Sequence, residues 1–226
     1  MEKCGTMFPI AAAISLVMTC CYAADPWNLR DMCPTETSTK NKSPEAALFF
    51  NGLPCKNPSK ITPSDFKSSR LATAGDTDNF HGSSVRIVTA EDFAGLNTLG
   101  LSVGRMDLDF DGIVMPHSHP RATEMMFVTM GSVIAGFIDT RNRPFQKVLK
   151  EGDIFVVPRG LLHYCFNVGY SEATVLSVFN GQNPGSVSIS DAMFELATPA
   201  PRILNKLSPS LTLQEKQQNF SYGNWF

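Results

Sequence analysis

Short apolar runs rich in Val, Ile, Leu and Phe recur between residues 85 and 180, separated by Gly, Pro, Asn and Asp. Runs of this length, closed by turn residues, mark β-strands. The pattern predicts strands over 85–88, 99–108, 114–119, 124–130, 133–139, 146–149, 154–157, 162–167 and 174–180. No helical periodicity interrupts them, which argues against a parallel α/β sheet and for an all-β sandwich or barrel. There is no repeat at a solenoid period. The pattern changes on either side. Residues 25–70 are rich in Pro, Ser, Thr, Asn and Lys and read as an extended arm. After Asn180, Ser190 can cap a short helix that Pro199 and Pro201 end. Thr212 with Glu215 can form a capping box for a last helix through Gln218.

The N-terminus has the three parts of a secretory signal: basic Lys3, an apolar segment over 7–17, and a small-residue exit. Cleavage after Ala23 puts Cys21 and Ala23 at the recognition positions. Cleavage after Ala24 would put bulky Tyr22 at one of them, so Ala23 is preferred. The expected divisions are 1–23 signal peptide, 24–70 arm, 71–187 barrel and 188–226 helical extension. Three cysteines leave with the signal and Cys33, Cys55 and Cys165 remain. A secreted setting permits disulfides. Cys33 and Cys55 lie in polar sequence with little core of its own, where a bridge would staple the arm. Cys165 sits in an apolar run and reads as a buried small hydrophobe. Asn41 and Asn219 begin glycosylation triplets; Asn57 is excluded by Pro58.

Composition narrows the picture further. The 226 residues carry a formal net charge of -2, with 43% hydrophobic and 18% charged. That suits one globular domain with tails. No basic stripe points to nucleic acid. No apolar run reaches the ~18 to 20 residues of a membrane span.

The chemistry concentrates in DGIVMPHSHPRATEMMFVTMG, residues 111–131. Residues two apart on a strand share a face, so His117 and His119 can aim both imidazoles at one point. Glu124 opens the return strand. Two imidazoles and a carboxylate suit a first-row transition metal; a solvated polar hairpin is the alternative. His163 opens the strand after Pro158-Arg159-Gly160. It can reach the first pair only if the sheet closes on itself, as a small barrel does. Otherwise it is a satisfied core histidine. His163, Cys165 and Asn167 alternate and should share the inward face.

These two stretches resemble the paired motifs of the cupins. Gly112, His117, His119, Glu124 and Gly131 fit the first, except that Asp111 takes the place of the usual leading glycine. Gly152, Pro158, Gly160, His163 and Asn167 fit the second throughout. The words GLNTLG, PHSHPRATE, PRGLLH, FNVG and QNPG, with NGLPCK around Cys55, narrow the resemblance to the germin-like proteins of plants. It covers nearly the whole chain after the signal. It implies a single cupin (jelly-roll) β-barrel with an N-terminal arm pinned by Cys33–Cys55. It implies manganese on His117, His119, Glu124 and His163. It also implies a secreted glycoprotein of the apoplast and cell wall with a role in defence, assembled as a hexamer, a trimer of dimers. The donor set by itself would equally accept iron, copper, nickel or zinc.

Three functions compete. Superoxide dismutation is reported for several germin-like proteins and needs a cycling metal with an open position for a small anion. Oxalate oxidation is the activity of true germins. Those enzymes carry two substrate-binding asparagines, thirteen and three residues before the first metal histidine. Here those positions hold Gly104 and Val114, which donate no side-chain hydrogen bond, so substrate oxygens would be left unpaired. The third function is a non-catalytic extracellular metal-binding module, of storage or receptor type. The expectation is superoxide dismutase activity with no catalytic side chain assigned, the metal-binding module as alternative, and oxalate oxidase disfavoured.

Overall fold

The computed structural model describes residues 31–36, 49–50 and 52–188. The signal segment, Asn41, Asn219 and the C-terminal helical segment lie outside the described residues. In the arm, β1 (Phe49–Phe50) pairs with β2 (Leu53–Pro54). The barrel runs through β3 (Ser83–Val88), β4 (Ser102–Leu108), β5 (Ile113–Ser118), β6 (Glu124–Met130), β7 (Ser132–Ile138) and β8 (Pro144–Lys150). It continues with β9 (Ile154–Val157), β10 (Leu162–Asn167), β11 (Ala173–Phe179) and the short β12 (Val187–Ser188). Among the described residues there is no α-helix, only three 3₁₀ turns. No described helix is long and apolar enough to cross a membrane.

The strands form two five-stranded antiparallel sheets, ordered β12-β5-β10-β7-β8 and β3-β4-β11-β6-β9. The expected all-β barrel is therefore present, with the core between the sheets. Along β6, Glu124, Met126 and Val128 are buried while Met125 and Phe127 are exposed. That period-two alternation is what a half-buried strand requires. Met106, Leu108, Val133, Ala135, Leu149 and Val175 join Met126 and Val128 in one continuous cluster.

Three predicted strands, β6, β9 and β10, have the expected ends. The strand expected from residue 99 starts instead at Ser102, because Thr98 (φ 70) and Gly100 (φ 66) take left-handed backbone that cannot continue a ladder. The strand expected over 146–149 extends to Pro144–Lys150. It forms a full hairpin with β7, with Ile138 opposite Pro144. Its weak alternation hid the ends, since β8 is an edge strand with most side chains exposed.

Two motif positions are explained by backbone geometry. Asp111, standing where the motif usually has glycine, has φ 57; Asp is one of the few residues that tolerates the left-handed region. Gly112 is kept for space: a Cβ there would lie 2.2 Å from the Gly82 carbonyl oxygen. Asn167, fully buried, donates to the Asp109 and Ser171 carbonyls at 2.8 Å and accepts from Gly169 N–H at 2.9 Å. It ties the β4–β5 turn to the end of β10.

The arm is clipped by a Cys33–Cys55 disulfide, as expected, with the two Cα atoms 5.0 Å apart. Thr35 N–H donates to the Ala94 carbonyl at 3.1 Å, which docks the clip on the loop before β4.

Candidate metal centre

His117, Glu124 and His163 lie on β5, β6 and β10, and His119 follows directly after β5. β5 and β10 pair with His163 opposite His117 and Cys165 opposite Val114, so β5 carries an extra residue between those pairs. Pro116, which has no N–H for a ladder, lies in that bulge. The bulge shifts the alternation of β5, and both Val114 and His117 become buried. Without it, three residues of separation would put them on opposite faces.

The three histidines and Glu124 offer donor atoms within 4.8 Å of one another. The rings of His117 and His163 are 4.1 Å apart between centroids. All four residues are buried, His117 being the most exposed at 8%. Each histidine has its Nδ1 against a backbone carbonyl: His117 with Met115 (2.9 Å), His119 with Gly185 (2.5 Å) and His163 with Leu161 (2.9 Å). A carbonyl only accepts, so Nδ1 carries the proton in all three rings. Every Nε2 is then a bare lone pair.

Two of those lone pairs face one carboxylate oxygen. Glu124 Oε2 is 2.9 Å from His163 Nε2 and 3.5 Å from His119 Nε2. The shorter distance suits a hydrogen bond, but a ring whose one proton sits on Nδ1 has none on Nε2 to make it. Glu124 Oε2 and His163 Nε2 are in fact buried without a hydrogen-bond partner. Electron pairs held together out of water need a cation among them, either a proton or a metal ion. The other carboxylate oxygen is satisfied: Ser177 Oγ donates to Glu124 Oε1 at 2.6 Å. The donor set therefore fits a metal ion, with Oε2 as the carboxylate donor.

Protonation follows from burial. Burial, reinforced by the neighbouring His163, pushes His117 down from 6.5 to about 4. Burial also lowers His119. For Glu124, burial alone would raise the carboxyl, but a proton shared with His163, followed by the Ser177 hydroxyl, holds it below the usual carboxylate range. At neutral pH the site thus presents His117 and His119 as neutral imidazoles beside the Glu124 carboxylate, the protonation state that metal ligation requires.

Comparison with known proteins agrees with this geometry. The cupin family model matches residues 69–211. Germin-like protein subfamily 3 member 4 of Arabidopsis thaliana is 53% identical over 169 residues, covering 75% of this chain and 78% of the relative. Germin-like protein 11-1 of Oryza sativa subsp. japonica is 50% identical over 186 residues, covering 77% and 82%. This chain belongs to the germin-like proteins of the cupin family. A solved oxalate oxidase structure superimposes with a TM-score of 0.71 at 34% identity, over 89% of this germin-like chain and 100% of the other.

The germin-like barrel brings together all four residues expected to meet. It buries Cys165 completely, beside His163 on the inward face, and burial followed by the Glu124 charge pushes its thiol up to about 12. Gly104 lies mid-strand on β4, paired with Ser177, and Val114 is buried on β5. Three contributors escaped the sequence reading: Ser177 on Glu124, the Gly185 carbonyl on His119, and Phe179, whose ring meets His119 edge-on at 4.8 Å. Alternation along β11 could have placed Ser177 and Phe179 inward. The Gly185 carbonyl leaves no sequence signal beyond the QNPG word.

Proposed function

We propose that this chain is a secreted, manganese-binding germin-like protein of the plant cell wall that dismutates superoxide. The observation that carries the reading is the convergence of three Nε2 lone pairs and Glu124 Oε2 on one buried point. His117, His119, Glu124 and His163 would hold the ion. Bound there, manganese would supply one-electron redox chemistry, by which two superoxide ions and two protons become dioxygen and hydrogen peroxide. The chain's part is to fix the donors. The three carbonyls lock the ring tautomers, Ser177 leaves Oε2 free, and burial keeps bulk water away from the cluster. With one carboxylate and a divalent or trivalent ion, the site carries net positive charge that attracts a small anion.

The same reading extends to the rest of the chain. The signal segment and the arm disulfide support an extracellular location in the apoplast, and a role in defence there is part of the proposal. The mature chain begins at residue 24, the barrel at 71 and the helical extension at 188. Asn41 and Asn219 are the proposed glycan sites. Assembly as a hexamer is supported by an apolar outer sheet face on β6, β9 and β11.

Oxalate oxidation is disfavoured by the environments of Gly104 and Val114. A Cβ at Gly104 would already lie 3.2 Å from the Phe179 ring and 3.5 Å from Ser177 Cβ. No amide donor for a dicarboxylate stands at either position. A non-catalytic metal-binding module is the second reading, favoured by the depth of the four donors.

Metal analysis of the secreted protein, with superoxide and oxalate assays on the same sample, tests the proposal. The expected result is about one manganese per chain, superoxide activity that chelation removes and manganese restores, and no oxalate turnover. Efficient oxalate oxidation would overturn it. A manganese-loaded protein without superoxide activity would favour the second reading.

A further inference from the structure

The word QNPG, which marks the family resemblance, has no part in the ligand set. It lies in the segment Gly181–Gly185, which joins the end of β11 to β12. β12 pairs with β5, Ser188 opposite His117. The segment therefore passes beside both histidines of the first motif. All five of its carbonyls accept a hydrogen bond. Ser102 Oγ donates to the Gly181 carbonyl at 2.7 Å, and Ala90 N–H donates to the Gln182 carbonyl at 3.0 Å. Thr98 N–H donates to Gln182 Oε1 at 2.8 Å, at a β-branched residue with φ 70. Arg121 grips the middle: Nε donates to the Asn183 carbonyl and Nη2 to Asn183 Oδ1, both at 2.8 Å. Arg121 N–H donates to the Pro184 carbonyl at 3.1 Å. Gly185, at φ 66, then turns its carbonyl onto His119 Nδ1. A Cβ on Gly185 would sit 2.8 Å from Arg121 Nη2, so the guanidinium packs directly over its backbone.

We propose that Gly181–Gly185 is a strap that sets the tautomer and orientation of His119, and that Arg121 and Gln182 are positioning residues acting through it. The strap has two anchors, Gln182 at one end and Arg121 over Asn183. Arg121 is two residues after His119, so the chain reaches back to hold, at Asn183 and Pro184, the segment whose Gly185 carbonyl meets its own ligand. Gln182 fastens the other end to the loop before β4. There Asn97, fully buried, donates from Nδ2 to Cys33 Sγ at 3.3 Å. The strap thereby connects the metal centre to the docked arm. A two-point fork is needed to fix both a carbonyl and a side-chain amide, which an ammonium cannot match. Partners that orient a metal-bound imidazole typically change metal affinity by about 10- to 100-fold when lost.

The inference rests on the metal-binding reading, and its test separates the two. Arg121→Ala and Gln182→Ala are compared with wild type and with Arg143→Ala, whose guanidinium pairs with Asp139 on the β7–β8 hairpin. Two quantities are read: manganese affinity by competition with a chelator, and the His119 Nδ1–H resonance by proton–nitrogen correlation in the metal-free protein. The expected result is manganese affinity weakened by about tenfold or more in both strap variants. The His119 resonance should shift or broaden, while Arg143→Ala matches wild type. If Arg121→Ala fails to fold, Gln182→Ala alone decides, since its side chain bonds the loop before β4. Wild-type affinity in the strap variants overturns the inference. So does a loss of affinity with the His119 resonance unmoved, because the effect would then not pass through the ring. A wild-type protein that takes up no manganese overturns the metal-binding reading, while the resonance still tests the strap.

Discussion

The three imidazoles give their Nδ1 protons to Met115, Gly185 and Leu161, and this leaves each Nε2 an electron-pair donor. Burial makes the choice costly to reverse, because a second proton would bring charge into the core. The sign of the pH dependence follows. His117 titrates near 6.5 when unfolded and near 4 when folded. Between those values the unfolded chain takes up a proton that the folded chain refuses. Stability is therefore full above about 6.5 and is lost as pH falls toward 4, at up to about 1.4 kcal/mol per pH unit for each such proton. His119 shifts in the same direction and adds to the slope. Denaturant unfolding of the metal-free protein should show its midpoint falling between pH 7 and pH 4.5. Bound manganese should hold the midpoint nearly level over the upper part of that range. A flat profile in the metal-free protein would show that the histidines are not buried as neutral rings.

At the scale of elements, the strands were legible because alternation and turn residues agree over most of the barrel. β6 and β10 are clear cases, each with one face buried and turn residues at its ends. Motif spacing then brought Glu124 and His163 to the first pair. Two things were not legible. The β5 bulge depends on the pairing partner, so alternation alone predicts a plain strand where Pro116 shifts the pattern before His117. The supports of the ligands come from distant elements. Ser177 lies 53 residues from Glu124, and Gly185 lies 66 from His119. Neither separation has a local signature. Ser177 shows what such a support is worth. Ser177→Ala leaves Glu124 Oε1 buried without its donor, a cost of about 1–3 kcal/mol in the metal-free protein. The carboxylate is then free to rotate, and manganese affinity should fall by about tenfold or more. Calorimetric unfolding and chelator competition check the two effects. Unchanged values in both would mean the hydroxyl does not orient the carboxylate.

At the scale of the whole molecule, the barrel turns two different faces to its surroundings. Inside, β6 presents Glu124 to the metal centre. Outside, the same strand presents Met125 and Phe127. The register extends this into rows across three strands: Val178, Met125 and Val156 in one, Leu176, Phe127 and Ile154 in the next. Ile154 is 60% exposed, Val156 51%, Met125 42%, Phe127 41% and Val178 39%. Isolated exposed hydrophobic residues are ordinary, but a block on adjacent strands marks a contact surface. The block also reaches β9, the edge strand of its sheet. Burying it against a second copy follows from the hexamer proposed for this chain, and charge placed there should prevent it. Met125→Lys together with Ile154→Lys puts two ammonium groups on neighbouring strands, both pointing away from the core. The expected result by light scattering is an oligomer for wild type and a smaller species for the double variant. Glu124 faces the opposite way, so manganese content should stay near wild type even in the smaller species. An unchanged molar mass would show that the copies meet elsewhere. A smaller species that has also lost its metal would show that the centre depends on assembly, which the closed donor set within one chain argues against.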